Sequence, residues 1–197
     1  MDAPEPTIRA RLTSLWGLHR PQLGYGIAMF SPSIDELLLN NRAHAEQHGR
    51  VHLDVSPSRK LAVVTCMDSR MDVFEILGLR NGEAHVIRNA GGVITDDVIR
   101  SLCLSQRVLG TAEIVLMHHT DCGLQKVTDD SFKSALEAEL GVRPQWAVEA
   151  FTDPYADTRQ SMRRLHQTTF LPNKDHISGF VYDVDTGRLV EVQLEDS

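Results

Sequence analysis

The segment Leu61-Ala62-Val63-Val64-Thr65 is short, continuously apolar and rich in β-branched side chains. Such a run is typical of a strand that is covered on both faces, as in a parallel sheet. Residues 85–87 and 113–117 have the same character. Apolar residues with helical spacing over 95–109, capped by Thr95, predict a helix between them. The centre of the chain is therefore predicted to be a right-handed parallel crossover.

Further elements are predicted on both sides of this unit. Ser33 is followed three residues later by Glu36, which together make a capping box for an early helix. The predicted elements are a helix from Ser33 to about His48, helices over 131–140 and 155–167, and a closing hairpin with strands at 179–184 and 189–193. The predicted fold class is α/β, with a mostly parallel central sheet flanked by helices and an antiparallel hairpin at its C-terminal edge.

The length and composition indicate one soluble globular domain with an appendage. The chain has 197 residues, of which 42% are apolar and 24% charged. Residues 1–32 hold four of the eight prolines. We expect them to form an N-terminal arm that is disordered or clasps a partner subunit. Residues 33–197 are expected to form a single α/β domain.

Charge and cysteine content narrow the class of protein. The formal charge of -7 disfavours a surface for nucleic acid or anionic lipid. No apolar run approaches the roughly 18 residues that span a bilayer. Three cysteines are too few for a disulfide framework and indicate reduced thiols or metal ligands. We expect a cytoplasmic protein with a small-molecule substrate and no nucleic-acid or membrane partner.

Soft metal ligands follow two of the predicted strands. Cys66 ends the first strand, and His119 and Cys122 follow the third. Because the carboxyl ends of neighbouring parallel strands share one edge, we expect these side chains to meet there. Two thiolates and one imidazole suit Zn²⁺, with one tetrahedral position left to fill. His118 competes with His119, which the two-residue spacer favours, and Cys103 is expected to be a small buried hydrophobe.

Asp68 and Arg70 follow Cys66 by two and four residues. Arg70 can hold Asp68 in a forked, charge-assisted pair. Two interpretations stay open: an ion pair that only fixes the loop, or a held carboxylate that accepts a hydrogen bond from water on the metal. A released Asp68 could instead coordinate the metal and close the site. We hypothesise that acidic pH favours the closed form.

In combination, these motifs resemble the zinc signature of the β-class carbonic anhydrases, from about Ser33 to the end of the chain. The likeness is closest to the compact bacterial and archaeal branch that includes mycobacterial members. It rests on Cys66-x-Asp68-Ser69-Arg70 and on residues 82–92, 95–102, 118–123 and 179–184.

The resemblance implies a zinc lyase that reversibly hydrates carbon dioxide to bicarbonate and a proton, using water activated by one Zn²⁺ per subunit. It also implies a homodimer, or a dimer of dimers, with the early helix packed across the interface. The site residues that it implies are Cys66, His119 and Cys122 as zinc ligands, Asp68 and Arg70 as the catalytic dyad, and Ile94 and Gly123 as substrate-binding residues.

Other functions stay open at this point. Relatives in the same branch hydrolyse carbonyl sulfide or carbon disulfide, which are linear heterocumulenes like carbon dioxide. A zinc-stabilised binding or redox-sensing module, closed by Asp68, would be non-catalytic. A cysteine nucleophile with a histidine base would need no metal. For the carbonic anhydrase, we expect alkaline-shifted activity, and we consider solvent buffer or a histidine such as His85 as the proton shuttle.

Overall fold

Strand β1 (Leu61–Cys66) lies inside a five-stranded sheet in the computed structural model, which describes residues 33–48 and 52–194. All six residues of β1 are buried. It pairs in parallel with β2 (Ala84–Asn89) on one side and with β3 (Glu113–His119) on the other. The continuous apolar run is therefore explained by cover on both faces and a neighbouring strand at each edge.

The sheet is completed by the last two strands. Strand β4 (Ile177–Tyr182) is parallel to β3, and β5 (Leu189–Val192) is antiparallel to β4 at the edge. The order is β2-β1-β3-β4-β5, so that β1 separates the two strands of the predicted crossover. The predicted fold class is confirmed. Strand β4 lies two residues earlier than predicted, because Ile177 pairs with Ile114 near the start of β3.

The helices begin at side chains that cap them. Thr95 and Thr128 accept hydrogen bonds from backbone N–H groups of the first turn, as does Asp153. Thr128 places one helix start two residues before the predicted Ser131. Three short elements were not predicted, since three to five residues show no helical period. The helices are α1 (Ile34–His48), α2 (Val73–Leu77), α3 (Asp96–Arg107), α4 (Asp129–Leu140) and α5 (Pro154–Gln167), with 3₁₀ turns at Ala90–Gly92 and Gly123–Lys126.

Two apolar clusters cover the faces of the sheet. Val63 belongs to one cluster and its neighbours Ala62 and Val64 to the other, as the alternation of side chains along a strand requires. Ile94 is buried in the second cluster. Cys103 packs against the same cluster but is only half-buried, which corrects the expectation of full burial. Its exposure follows from its place on α3, a helix with one face on the sheet and one in solvent.

Helix α1 forms where it was predicted but has no buried residue. The side chains of Ile34, Leu37 and Leu38 are between 50% and 58% exposed. These apolar side chains are therefore not covered within a single chain. The predicted arm, residues 1–32, lies outside the described residues. Within residues 33–48 and 52–194, no helix is both long and apolar enough to cross a membrane.

Candidate metal centre

Three metal-ligating side chains meet at the carboxyl ends of β1 and β3. Cys66 is the last residue of β1, His119 is the last of β3, and Cys122 lies three residues further on. All three are buried, with their ligand atoms within 4.8 Å of one another. The two Sγ atoms are 4.0 Å apart. Two sulfurs on one tetrahedral zinc would be roughly 3.8 Å apart, so the group could hold a metal ion with little movement.

His119 is oriented with one ring nitrogen free for a metal. Its Nδ1 lies 2.8 Å from the carbonyl oxygen of Thr120 and donates to it, which leaves the lone pair on Nε2. That Nε2 is buried and has no hydrogen-bond partner. A buried nitrogen without a partner is costly, and a metal ion would satisfy it. The donor set therefore fits zinc.

Strand alternation decides between the two histidines. Strand β3 continues two residues further than predicted, so His118 and His119 both belong to it and project to opposite faces. His118 is fully buried, with Nδ1 3.6 Å from Asp157 Oδ2 and its ring edge against Phe151. His119 alone joins the two thiols. His119 is also the histidine that the two-residue spacer to Cys122 favours.

The two buried sulfurs hold one shared proton more favourably than one proton each. Hydrogen bonding between them lowers the pKa of Cys66 and raises that of Cys122, which burial raises further. The first proton leaves the pair easily because the remaining thiol donates to the thiolate, and the second is held. A divalent cation would displace the second proton and bind both sulfurs as thiolates.

The backbone around Cys66 is fixed by Arg88 of β2 and by Gly92 of the 3₁₀ turn that follows β2. Arg88 donates from Nε to the carbonyl oxygen of Cys66 at 2.9 Å and from Nη2 to that of Asp68 at 2.7 Å. Gly92 has a φ of +73°, and a Cβ there would lie 2.8 Å from the Cys66 nitrogen. Only glycine fits this approach. No local pattern in the sequence indicates this role of Arg88, since its contacts depend on the pairing of β1 with β2.

Asp68 and Arg70 form the forked pair that their spacing predicted. Arg70 donates from Nε to Asp68 Oδ1 at 2.9 Å and from Nη2 to Oδ2 at 2.8 Å. The backbone nitrogen of Arg70 also donates to Oδ1, at 2.9 Å. These bonds hold the pKa of Asp68 well below its usual range. Asp68 Oδ2 lies 3.7 Å from His119 Nε2, so the carboxylate stands beside a candidate ligand atom.

A cavity of about 830 Å³ opens at this end of the sheet. Its polar end holds Cys66, Asp68, Arg70 and Cys122, and Gly123 is in the wall. The remaining wall is largely apolar and includes Val93, Leu124, Val127, Phe132, Trp146 and Val148.

Two residues named from the sequence lie elsewhere. Ile94 is 2% exposed in the second core cluster, whereas its neighbours Val93 and Thr95 line the cavity. In this extended segment successive side chains point to opposite sides. Val93 and Thr95 therefore face the cavity, and Ile94 between them faces the core. His85 lies on β2, where its Nδ1 is 2.7 Å from Ser105 Oγ, and it does not line the cavity.

The comparisons with known proteins agree with this geometry. Residues 61–167 match the family model described as carbonic anhydrase. Beta-carbonic anhydrase 1 of Mycobacterium tuberculosis is 52% identical over 158 residues, which cover 80% of this chain and 96% of that protein. The crystal structure of carbonic anhydrase from Streptococcus mutans superposes with a TM-score of 0.79 at 44% identity, covering 84% of this chain and 100% of the other. A carbon disulfide hydrolase of Acidithiobacillus thiooxidans is 33% identical over 161 residues, covering 71% and 80% of the two chains.

Proposed function

We infer the function from one premise: the chain belongs to the β-carbonic anhydrase family. It is a carbonic anhydrase, a lyase that reversibly hydrates carbon dioxide to bicarbonate and a proton. The observation that carries this conclusion is the buried group of Cys66, His119 and Cys122 in a chain 52% identical to a protein of that name.

We propose that this group holds one Zn²⁺ per subunit. Its support is the chemistry of the donors: two thiols that share a proton and an imidazole nitrogen that lacks a partner. Zinc, when bound in such a site, lowers the pKa of coordinated water so that hydroxide is available near neutral pH. The charges of the two thiolates offset that of the dication, so we expect this effect to be weaker and the activity to be displaced to alkaline pH.

Asp68 and Arg70 are proposed as the catalytic dyad. The low pKa of Asp68 keeps its side chain an acceptor-only carboxylate throughout the neutral range. It can therefore accept a hydrogen bond from the attacking water and turn a lone pair of that water toward the substrate. Arg70 holds both oxygens of the carboxylate, which restricts its rotation.

The cavity wall provides the substrate site. The apolar side chains of Val93, Leu124 and Val127 offer carbon dioxide a surface that does not compete for hydrogen bonds. Gly123 has no atom within 4 Å of the place where a Cβ would lie, which leaves room for a substrate oxygen near its amide. In our proposal Val93 takes the position that the resemblance gave to Ile94.

The test is stopped-flow hydration of carbon dioxide against pH, on protein of measured zinc content. We expect activity that rises into the alkaline range and that is lost on chelation. Zinc-loaded protein with no activity at alkaline pH would favour a non-catalytic zinc module. Full activity after removal of zinc would favour a cysteine nucleophile.

Hydrolysis of carbon disulfide or carbonyl sulfide is the second candidate activity. The specific observations in its favour are the 33% identity to a carbon disulfide hydrolase and a cavity larger than carbon dioxide requires. Both sulfur compounds should be assayed beside carbon dioxide on the same preparation. A higher kcat/KM for either one would reverse the assignment of the substrate.

We propose that the chain assembles as a homodimer or a dimer of dimers in the cytoplasm. The exposed apolar side chains of Ile34, Leu37 and Leu38 support assembly, because neighbouring apolar side chains on an uncovered helix are normally buried against a partner. The three cysteines are free, as a thiolate metal site in a reducing compartment requires. Light scattering of wild type and Leu38→Asp tests the assembly, which we expect the substitution to weaken.

A further inference from the structure

Arg70 is held from two sides. The Asp68 carboxylate accepts hydrogen bonds along one edge of the guanidinium group, from Nε and Nη2. On the other edge Nη1 donates to Asp121 Oδ2 and Nη2 to the carbonyl oxygen of Asp121, both at 3.0 Å. The guanidinium plane therefore bridges two acidic residues on different loops, one after β1 and one after β3.

Asp121 is itself fixed in place. Its φ is +51°, a left-handed conformation that aspartate tolerates better than most residues. Its second oxygen, Oδ1, lies 2.8 Å from Lys126 Nζ. Lys126 closes the 3₁₀ turn that begins directly after the candidate ligand Cys122. Asp68, Arg70, Asp121 and Lys126 thus form a row of alternating charge along the polar end of the cavity.

We propose that Asp121 and Lys126 are positioning residues for the proposed reaction: they fix the Arg70 guanidinium, and through it the Asp68 carboxylate, beside Cys66, His119 and Cys122. The inference rests on the proposed function. It gives a role to Asp121 and Lys126, which contact neither the candidate ligand atoms nor the Asp68 carboxylate.

The contact of Arg70 with Asp121 matters because the Arg70 side chain is exposed. Its side chain is 44% accessible, and a single ion pair at such a position is weak and leaves the long side chain free to rotate. A guanidinium group bound on both edges has one allowed plane. Lys126 neutralises Asp121, so that Asp121 holds Arg70 without drawing it away from Asp68. Loss of either residue should let Arg70 swing toward solvent and release Asp68.

The experiment compares Asp121→Asn, Lys126→Met and Lys126→Arg with a matched control, Asp97→Asn. Asp97 also pairs with an exposed arginine, Arg100 at 2.8 Å, but on α3 and outside the cavity. For each variant we would measure zinc content, kcat and KM for carbon dioxide, and the ¹⁵N NMR signal of the Arg70 Nε–H group. The NMR signal is recorded with and without zinc, so it reports on Arg70 independently of activity.

We expect Asp121→Asn to keep its zinc and its KM and to lower kcat by about threefold to tenfold, the loss of one partly exposed charge-assisted contact. Its Arg70 Nε–H signal should broaden or shift. Lys126→Met should show the same changes to a smaller degree. Lys126→Arg should restore kcat and the signal, and Asp97→Asn should change neither.

An Arg70 signal that is unchanged in both Asp121→Asn and Lys126→Met would overturn the proposal, whatever their activity. So would a kcat for Asp121→Asn equal to that of the wild type. If Asp121→Asn fails to fold or loses zinc, the pair Lys126→Met and Lys126→Arg decides the question. Wild-type protein that hydrates no carbon dioxide would refute the proposed function alone, since the NMR signal of Arg70 would still test the positioning role.

Discussion

Asp157 makes the stability of this protein depend on pH. Its carboxyl group lies 3.6 Å from Nδ1 of His118, the neighbour of the candidate ligand His119 in β3. Burial, together with the charge of Glu149, raises the pKa of Asp157 from 3.8 to about 6. His118 offers no compensating charge, because burial lowers its pKa to about 4. Above pH 6 the folded protein therefore holds a poorly solvated carboxylate that the unfolded chain hydrates freely.

The sign follows from the direction of the shift. A carboxyl group with a higher pKa in the folded state binds its proton more tightly there than in the unfolded chain. Its contribution to the free energy of unfolding is therefore largest at acidic pH and is lost as the pH rises from 3.8 through 6. The full loss corresponds to about 3 kcal/mol, of which about 2 kcal/mol falls between pH 4.5 and pH 8.

Urea unfolding of wild type and Asp157→Asn at pH 4.5 and pH 8 measures this loss. Asparagine does not titrate, so the free energy of unfolding of wild type relative to the variant should fall by about 2 kcal/mol between the two pH values. The shared metal site cancels in the comparison. A wild-type-to-variant difference that is equal at both pH values would refute the reasoning.

Three other substitutions test the metal centre. Cys66→Ser should lose zinc and activity together, measured by metal analysis and stopped-flow hydration, because it removes one of the three proposed ligands. Asp68→Asn should keep its zinc but lower kcat by about 10- to 100-fold, since a neutral amide has one acceptor oxygen instead of two and loses the charged fork with Arg70; an unchanged kcat would exclude the dyad. Gly92→Ala should destabilise the fold by about 2 kcal/mol or more in urea, because its Cβ meets the Cys66 backbone and its φ is left-handed. A Gly92→Ala variant as stable as wild type would contradict the close contact between Gly92 and the Cys66 backbone.

Local patterns in the sequence were enough to predict the sheet and the meeting of the three candidate ligand residues. The apolar run before Cys66 predicted a strand with cover on both faces, and all its residues are buried. Thr95 predicted the start of α3, where its side chain accepts from Val98. The rule that ligands gather at the carboxyl ends of adjacent parallel strands brought Cys66 to His119 and Cys122. Each of these inferences depends on residues close in sequence or on one general property of parallel sheets.

Tertiary structure decided which way the side chains face and what holds them. Ile94 and Val93 are both apolar, and the direction of the chain after β2 turns the first into the second core cluster and the second toward the cavity. Arg88 reaches the Cys66 loop through strand pairing, and Asp121 reaches Arg70 across 51 positions of the chain. Composition, capping and hydrophobic period are properties of neighbouring residues, which the sequence displays. The direction of a side chain at a strand end and the contacts between distant loops depend on how the strands are paired, which no local pattern records.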